Sequence, residues 1–248
     1  MFTEMYTVVV GPQHSRYHAY RFVLEKIPYF YKLLEEVSDE AKVGIFHLPS
    51  HDPDAFARVL HYLLADGKTK PHIPNTDTGA IDDDTIVLID MIQLHLIADH
   101  LSLEKLANHC IDQISQGYEH YGISDETLLL VEQHARSDGV DEKSRLYKLL
   151  IHWLACDIWG CGWEHYMESN PELLSKWFMG NPTKVIELAT VVVDWAARGG
   201  SLARSIEEDC CHWHCHQRTS KCKRRAGVQN ASGAKKAKNS KDRVIRDY

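Results

Sequence analysis

Apolar and polar positions change period several times along the first third of the chain, and each change marks a different element. Tyr6 to Val10 is a β-branched, apolar run of the kind that fits a buried strand. Gly11-Pro12-Gln13-His14-Ser15 supplies the turn chemistry that reverses it, so Arg16 to Val23 reads as the antiparallel partner. Pro28 suits the first turn of a helix, where its missing N–H is not needed, and Phe30, Leu33, Leu34 and Val37 follow at helical spacing on one face. Ile45 to Leu48 predicts a third short strand. Asp52-Pro53 is a cap and first-turn pair for a helix whose apolar stripe is Phe56, Val59, Leu60, Leu63 and Leu64, stopping at Asp66-Gly67.

Lys68 to Asp84 holds three prolines or glycines among Asp and Thr and predicts a loop between helices. Helical periodicity then resumes. Ile89, Ile92, Leu96 and Ile97 predict one apolar face, and after a cap at Ser102 come Leu103, Leu106, Cys110 and Ile114 at spacings of three and four. The following hundred or so residues show no strand alternation. Ser124 with Asp125 and Glu126 caps a helix and places acids where the helix dipole favours them. Leu146, Leu149, Leu150, Trp153 and Leu154 form a broad apolar face, and Asn181-Pro182 opens a helix with Ile186, Leu188, Val192 and Trp195. Helix propensity lapses after Arg198-Gly199-Gly200, and from Ala226 the Gly, Ala, Ser, Asn and Lys composition reads as a disordered tail.

The segments YTVVVG, YHAYRFVLEKIPYF, HLPSHDPDAFARVLHYLLADG and LHLIADHLSLEKLANHCIDQI resemble successive blocks of a BTB/POZ domain, particularly those of filamentous fungi. The residues that carry the resemblance are Val10-Gly11, Pro28-Tyr29-Phe30, Leu48-Pro49, Asp52-Pro53, Phe56 and Ala98-Asp99, in order over residues 5 to 115. Ser144 to Leu149 resembles the helical extension that follows the domain in fungal members. The fold so implied is α+β: a BTB/POZ-like unit over residues 1–118, a small mainly antiparallel sheet with a helical cluster. An all-α, BACK-like extension covers 119–209, and a Cys/His cluster with a basic tail covers 210–248.

The family's usual histidine in the second strand is Tyr20 here, with Arg21 keeping the basic residue after it. The acidic residue usual at the start of the first strand is Met5, with Glu4 beside it. In family members that act as transcription factors this acidic and basic pair shapes a pocket across a dimer. Few residues precede Thr7, so the N-terminal helix that many such dimers exchange is not expected, nor is a strand-swapped homodimer. The resemblance implies binding rather than catalysis. Two roles follow from it: a substrate adaptor for a cullin-based ubiquitin ligase, using the faces around Asp52 to Gly67 and Leu94 to Ile114, or a nuclear protein of transcriptional complexes.

Composition is that of an ordinary folded protein, 44% apolar and 25% charged over 248 residues. The net charge of −7 conceals an asymmetry that changes the picture. From Arg218 onward there are eleven Lys or Arg and two Asp, a net of +9, so the preceding 217 residues carry −16. An acidic body repels phosphate backbones, which confines any nucleic-acid contact to the tail. No apolar run approaches the ~18 residues that cross a bilayer, and the N-terminus lacks the apolar core of a signal peptide. The expected location is nucleus or cytoplasm, where seven cysteines read as free thiols or metal ligands.

Four groups of residues offer chemistry. Asp77-Thr78-Gly79-Ala80 resembles the active-site tetrapeptide of retroviral aspartic proteases, but Pro71 to Thr76 before it cannot be the core strand such a site needs, so it reads as a polar loop. Cys211, Cys215 and Cys222 with one of His212, His214 or His216, taken as His214, are a candidate zinc set, against free thiols near a helix end. Cys156, Trp159, Cys161 and Trp163 read as a packed thiol and aromatic cluster. Lys223-Arg224, a ten-residue gap and Lys235-Lys236-Ala237-Lys238 have the spacing of a bipartite nuclear import signal, against a merely solubilising tail. No nucleophile elbow, P-loop or dinucleotide fingerprint occurs, and no enzyme is expected.

Overall fold

The computed structural model describes residues 4–67, 81–116, 123–137, 144–171, 177–178 and 182–197. It is mixed α+β, with one small sheet and a majority of helix. Strand β1, Met5–Val10, is the centre of a three-stranded sheet in the order β2-β1-β3. It pairs antiparallel with β2, Ser15–Tyr20, from Met5↔Tyr20 to Val10↔Ser15, and parallel with β3, Ile45–Leu48, from Thr7↔Ile45 to Val10↔Leu48. Val8, Val9 and Val10 are all buried, as a central strand covered on both faces requires. Gly11 begins the turn with φ +75°, and a Cβ there would lie 3.0 Å from Pro53 Cγ and 3.2 Å from the His51 carbonyl oxygen. No larger residue fits without displacing the start of the helix at Pro53.

The second strand is shorter than its sequence predicts. It ends at Tyr20, and α1, Arg21–Leu24, takes one helical turn instead of running on to Val23. Val23 and Leu24 are adjacent and both buried, together with Ile27. A strand would send neighbouring side chains to opposite faces, whereas a helical turn lets both enter one core. Helix α2, Pro28–Glu35, has Pro28 in its first turn and buries Phe30 and Leu34. A short helix α3, Asp39–Val43, capped by Ser38 Oγ accepting from Ala41 N at 3.1 Å, leads through Gly44 into β3. Helix α4, Pro53–Leu64, is capped as expected, with Asp52 Oδ1 accepting from Ala55 N at 2.7 Å.

Helix α5, Ile81–His100, starts inside the stretch that reads as a loop, which corrects the predicted boundary at Asp84; residues 68–80 lie outside the described part. It is also apolar on more than one face. Leu94, Ile97, Ala98 and Leu101 join the sheet, α2, α4 and α6, Glu104–Gln116, in a first core around Phe30, Phe46 and Phe56. Leu88, Met91, Ile92 and Leu96 join a second core instead. Ile92, Leu96 and Ile97 therefore do not share a face, since neighbours on the helix serve different cores. The second core is completed by α7, Asp125–Ser137, α8, Arg145–Cys161, α9, Trp163–Ser169, the pair Trp177 and Phe178, and α10, Pro182–Ala197. Ser124 and Ser144 cap α7 and α8 through the N–H groups of Thr127 and Tyr147.

Helices α2, α4 and α5 all end in the same motif, with a left-handed residue that is not glycine. Val37 (φ +48°), Asp66 (φ +52°) and Ser102 (φ +58°) each occupy the position where glycine is usual. In each case the next N–H reaches back to the third-last helical carbonyl: Ser38 to Leu33, Gly67 to Tyr62, Leu103 to Ala98. Two predictions are corrected here. Val37 is 56% exposed beyond the end of α2 rather than in its apolar stripe, and Ser102 closes α5 rather than capping α6.

Candidate interaction surface

One end of the sheet carries an exposed aromatic and charged patch. The Met5↔Tyr20 register places the start of β1 beside the end of β2, and the backbone N–H of Arg21 donates to the Glu4 carbonyl at 2.9 Å. The Arg21 guanidinium then bridges two acids, Nη1 donating to Glu4 Oε2 at 2.9 Å and Nε to Glu25 Oε1 at 2.8 Å. Tyr6 donates its hydroxyl to the same Glu4 oxygen at 3.3 Å. The hydrogen bond from Arg21 holds the Glu4 carboxyl below its ordinary range, and the two acids raise the arginine further. Around this ion cluster Met5, Tyr20 and Phe22 are 61%, 47% and 51% exposed, the two rings stacked with centroids 5.8 Å apart. Exposed aromatics, Met and Arg in one place are the composition of an interface centre.

A second feature is a cleft of about 520 Å³ between the Gly11 turn, the start of α4 and the second core, lined among others by Gln13, Tyr17, Asp52, Asp54, Gln93 and Leu130. Tyr17, one of its lining residues, donates its hydroxyl to the Pro53 carbonyl at 2.7 Å. The Asp52 carboxylate is committed to capping α4. The arrangement offers polar and acidic surface to a bound segment.

The α4 surface expected to meet a partner exposes both polar and apolar residues. Its inner side is buried through Ala55, Phe56, Val59 and Leu63, and Arg58 Nη2 fixes it to α5 by an ion pair of 2.6 Å with Asp90. Asp54 and His61 face solvent. Leu64, read in the apolar stripe of this helix, is its last residue and is 65% exposed.

The thiol and aromatic cluster is not packed as predicted. Cys156 is buried, which pushes its thiol up to about 12. Trp159 and Trp163 are 52% and 45% exposed, and Cys161 is exposed. Gly162, at φ +85°, separates α8 from α9, and beyond it Tyr166 and Met167 return to the second core. Both tryptophans wall an apolar groove of about 360 Å³ whose other side is Val185, Leu188, Val192 and Val193 of α10. Ile186, read as part of this helix, lies within it and is 66% exposed.

Two buried polar groups carry no signal in the sequence pattern. Lys184 sits in an apolar helix yet is 8% exposed, its Nζ 2.7 Å from Glu132 Oε2 and 4.9 Å from the centre of the Trp177 ring. His95 is 4% exposed, with Nδ1 3.0 Å from the Ala107 carbonyl oxygen, and burial lowers its pKa below 6.5. An apolar window around either residue predicts only a helix, and three-dimensional pairing decides the rest.

Asp77 and its tetrapeptide, the candidate metal ligands Cys211, His214, Cys215 and Cys222, and the basic residues Lys223, Arg224, Lys235, Lys236 and Lys238 all lie outside the described residues. So does the side chain of Trp195. Among the described residues no group of three or more His, Cys, Asp or Glu is placed to hold a metal ion, and no helix is long and apolar enough to cross a membrane. A scan against protein-family models and a search of curated proteins return no match for this chain.

Proposed function

We propose that this protein is a non-enzymatic protein-interaction module of the BTB/POZ type, working as a substrate adaptor for a cullin-based ubiquitin ligase. One observation carries the reading: the residues on which the resemblance rests occupy positions with a physical reason to be what they are. Gly11 adopts φ +75° against Pro53, Pro28 starts α2, Asp52 caps α4, and Phe56 and Ala98 are fully buried in the first core. These are local requirements met in the family's order. The outer surface of α4 around His61 and Leu64 is the cullin-facing side in this reading, and the sheet-end patch at Met5, Tyr20 and Phe22 is a second contact surface.

The direct test is titration of the full chain against the N-terminal region of a cullin by calorimetry. Binding should be lost in Leu64→Asp, an exposed position where folding is spared, and kept in Phe22→Asp. Absence of binding by the folded full chain would end the adaptor reading. The alternative is a nuclear protein of transcriptional complexes, favoured by the +9 charge beyond Arg218 against −16 before it.

A further inference from the structure

The two edges of the sheet are finished differently. Thr7 N–H donates to the Gly44 carbonyl at 2.9 Å and Gly11 N–H to the Leu48 carbonyl at 3.0 Å, both on the β3 side of β1, whereas the Glu4 carbonyl accepts from Arg21 on the β2 side. Bonding directions alternate along a strand, so Tyr6, Val8 and Val10 turn their backbone groups to Ala19, Tyr17 and Ser15. Those of Arg16, His18 and Tyr20 therefore point out of the sheet. On the β3 edge the outward position is closed, His47 donating its N–H to Glu40 Oε1 at 3.1 Å. On the β2 edge, among the described residues, no backbone partner meets Arg16, His18 or Tyr20. Nor does Ser15–Tyr20 hold the proline, bulge or inward-pointing charge that usually blunts a free edge: its pairing is continuous, and its inner side is Ser15, Tyr17 and Ala19.

Outward N–H and C=O groups repeating at every second residue are matched in full only by another extended backbone. Side chains decide its composition. Arg16, His18 and Tyr20 share the exposed face of β2, and Arg16 has no ion-pair partner among the described residues, whereas Arg21 is held by Glu4 and Glu25. The opposite face differs in charge: Ser15 and Tyr17 line the cleft that Asp52 and Asp54 also border. Acids on an added strand therefore belong on one side only, beside Arg16 and His18. A second copy pairing edge to edge brings no acid to Arg16, since Ser15–Tyr20 has none, and the chain's own segment beyond Arg218 is net +9. We propose that the outer edge of β2 takes up an extended segment of a partner protein, acidic at alternate positions, as a fourth strand. The pairing is antiparallel, the more stable kind per residue. The backbone ladder supplies affinity, and the cross-strand contact with Arg16 selects the sequence. This contact is independent of the α4 surface assigned to a cullin.

The test uses the full chain and three fluorescently labelled peptides of about nine residues, long enough to span Ser15–Tyr20 at ~3.4 Å per residue. One alternates Thr with Glu and the second alternates Thr with Lys. The third is the Glu peptide N-methylated at each Glu, which removes the donors that face the edge when Glu stands opposite Arg16 and His18. By anisotropy the Glu peptide should bind at least about tenfold more tightly than the Lys peptide, and N-methylation should weaken it by about tenfold or more. Arg16→Gln, at an exposed position, should abolish the preference for Glu, and Arg16→Glu should reverse it in favour of Lys. Equal binding of the Glu and Lys peptides, or full retention on N-methylation, overturns the proposal. So does an unchanged preference in both Arg16 variants. Failure of the folded full chain to bind at up to about 1 mM peptide, whether because a second copy or its own segment holds the edge, overturns it as well.

Discussion

Lys184 Nζ lies 2.7 Å from Glu132 Oε2, with the two side chains only 9% and 13% exposed, so one charge pair ties α10 to α7 inside an otherwise apolar core. Tyr147 donates its hydroxyl to Glu187 at 3.2 Å on the same side of α10. Burial and the two nearby acids push the tyrosine well above its ordinary value, so it remains a neutral donor. The consequence of the pair is asymmetric. Removing one partner leaves the other charge desolvated, whereas removing both replaces a strained electrostatic balance with apolar contact.

Lys184→Met alone should therefore destabilise the protein by about 3 kcal/mol, and Glu132→Leu alone by a similar amount, since each strands a buried charge. The double variant should recover most of that loss. Urea unfolding followed by circular dichroism measures it. Additive losses in the double variant would mean that the pair is not coupled in solution.

Val37 provides a prediction of opposite sign. A β-branched residue at φ +48° is costly, and the side chain is more than half exposed, so little packing offsets the strain. Val37→Gly should stabilise by about 1 kcal/mol, and Val37→Asn by somewhat less. Gly44→Ala, at φ +76°, is the control and should destabilise. Thermal unfolding of the three variants side by side would expose an error if Val37→Gly lowered the midpoint.

His95 predicts how stability depends on pH. Its folded-state pKa is lowered from 6.5, mainly by burial, with Asp99 and the Ala107 carbonyl opposing. The unfolded chain therefore takes up the proton first. Its effect on stability is nil above about pH 6.5 and destabilising as pH falls from there toward the folded value. His95→Gln keeps a donor for the Ala107 carbonyl but does not titrate. Between about pH 7.5 and pH 5 it should lose less stability than the parent protein. Parallel stability curves for the two would assign the acid sensitivity to other groups.

What could be read from sequence divides along physical lines. Asp52 and Ser124 were legible because a cap is a local event: the side chain bonds an N–H three residues on, whatever the rest of the fold does. Val8 to Val10 were legible as a strand for the same reason, although their parallel pairing with Ile45 to Leu48 is a long-range fact with no local sign. The failures are tertiary. Leu96 and Ile97 belong to different cores because α5 lies between two layers, and a helix apolar on both sides gives no single stripe. Trp159 and Trp163 look like core residues by type, yet on either side of the turn at Gly162 they are about half exposed. Val37 and Ser102 ended helices without the glycine that usually announces it.

The last prediction concerns location and follows the nuclear alternative. Lys223 and Arg224 are separated by ten residues from Lys235, Lys236 and Lys238, within a segment of net +9 that follows an acidic body. Two basic clusters at that spacing reinforce one another on an import receptor, because binding the first raises the effective concentration of the second. Lys223→Ala with Arg224→Ala, or Lys235→Ala with Lys236→Ala, should each shift a fluorescent fusion of the full chain toward the cytoplasm. Lys241→Ala with Arg243→Ala removes the same charge outside the spacing and should do much less. The comparison separates geometry from charge: nuclear-to-cytoplasmic ratios that fall equally for all three pairs would show that the segment acts through net charge alone. Ratios unchanged in all three would remove the basis for import through this segment, and with it the main support for a nuclear role.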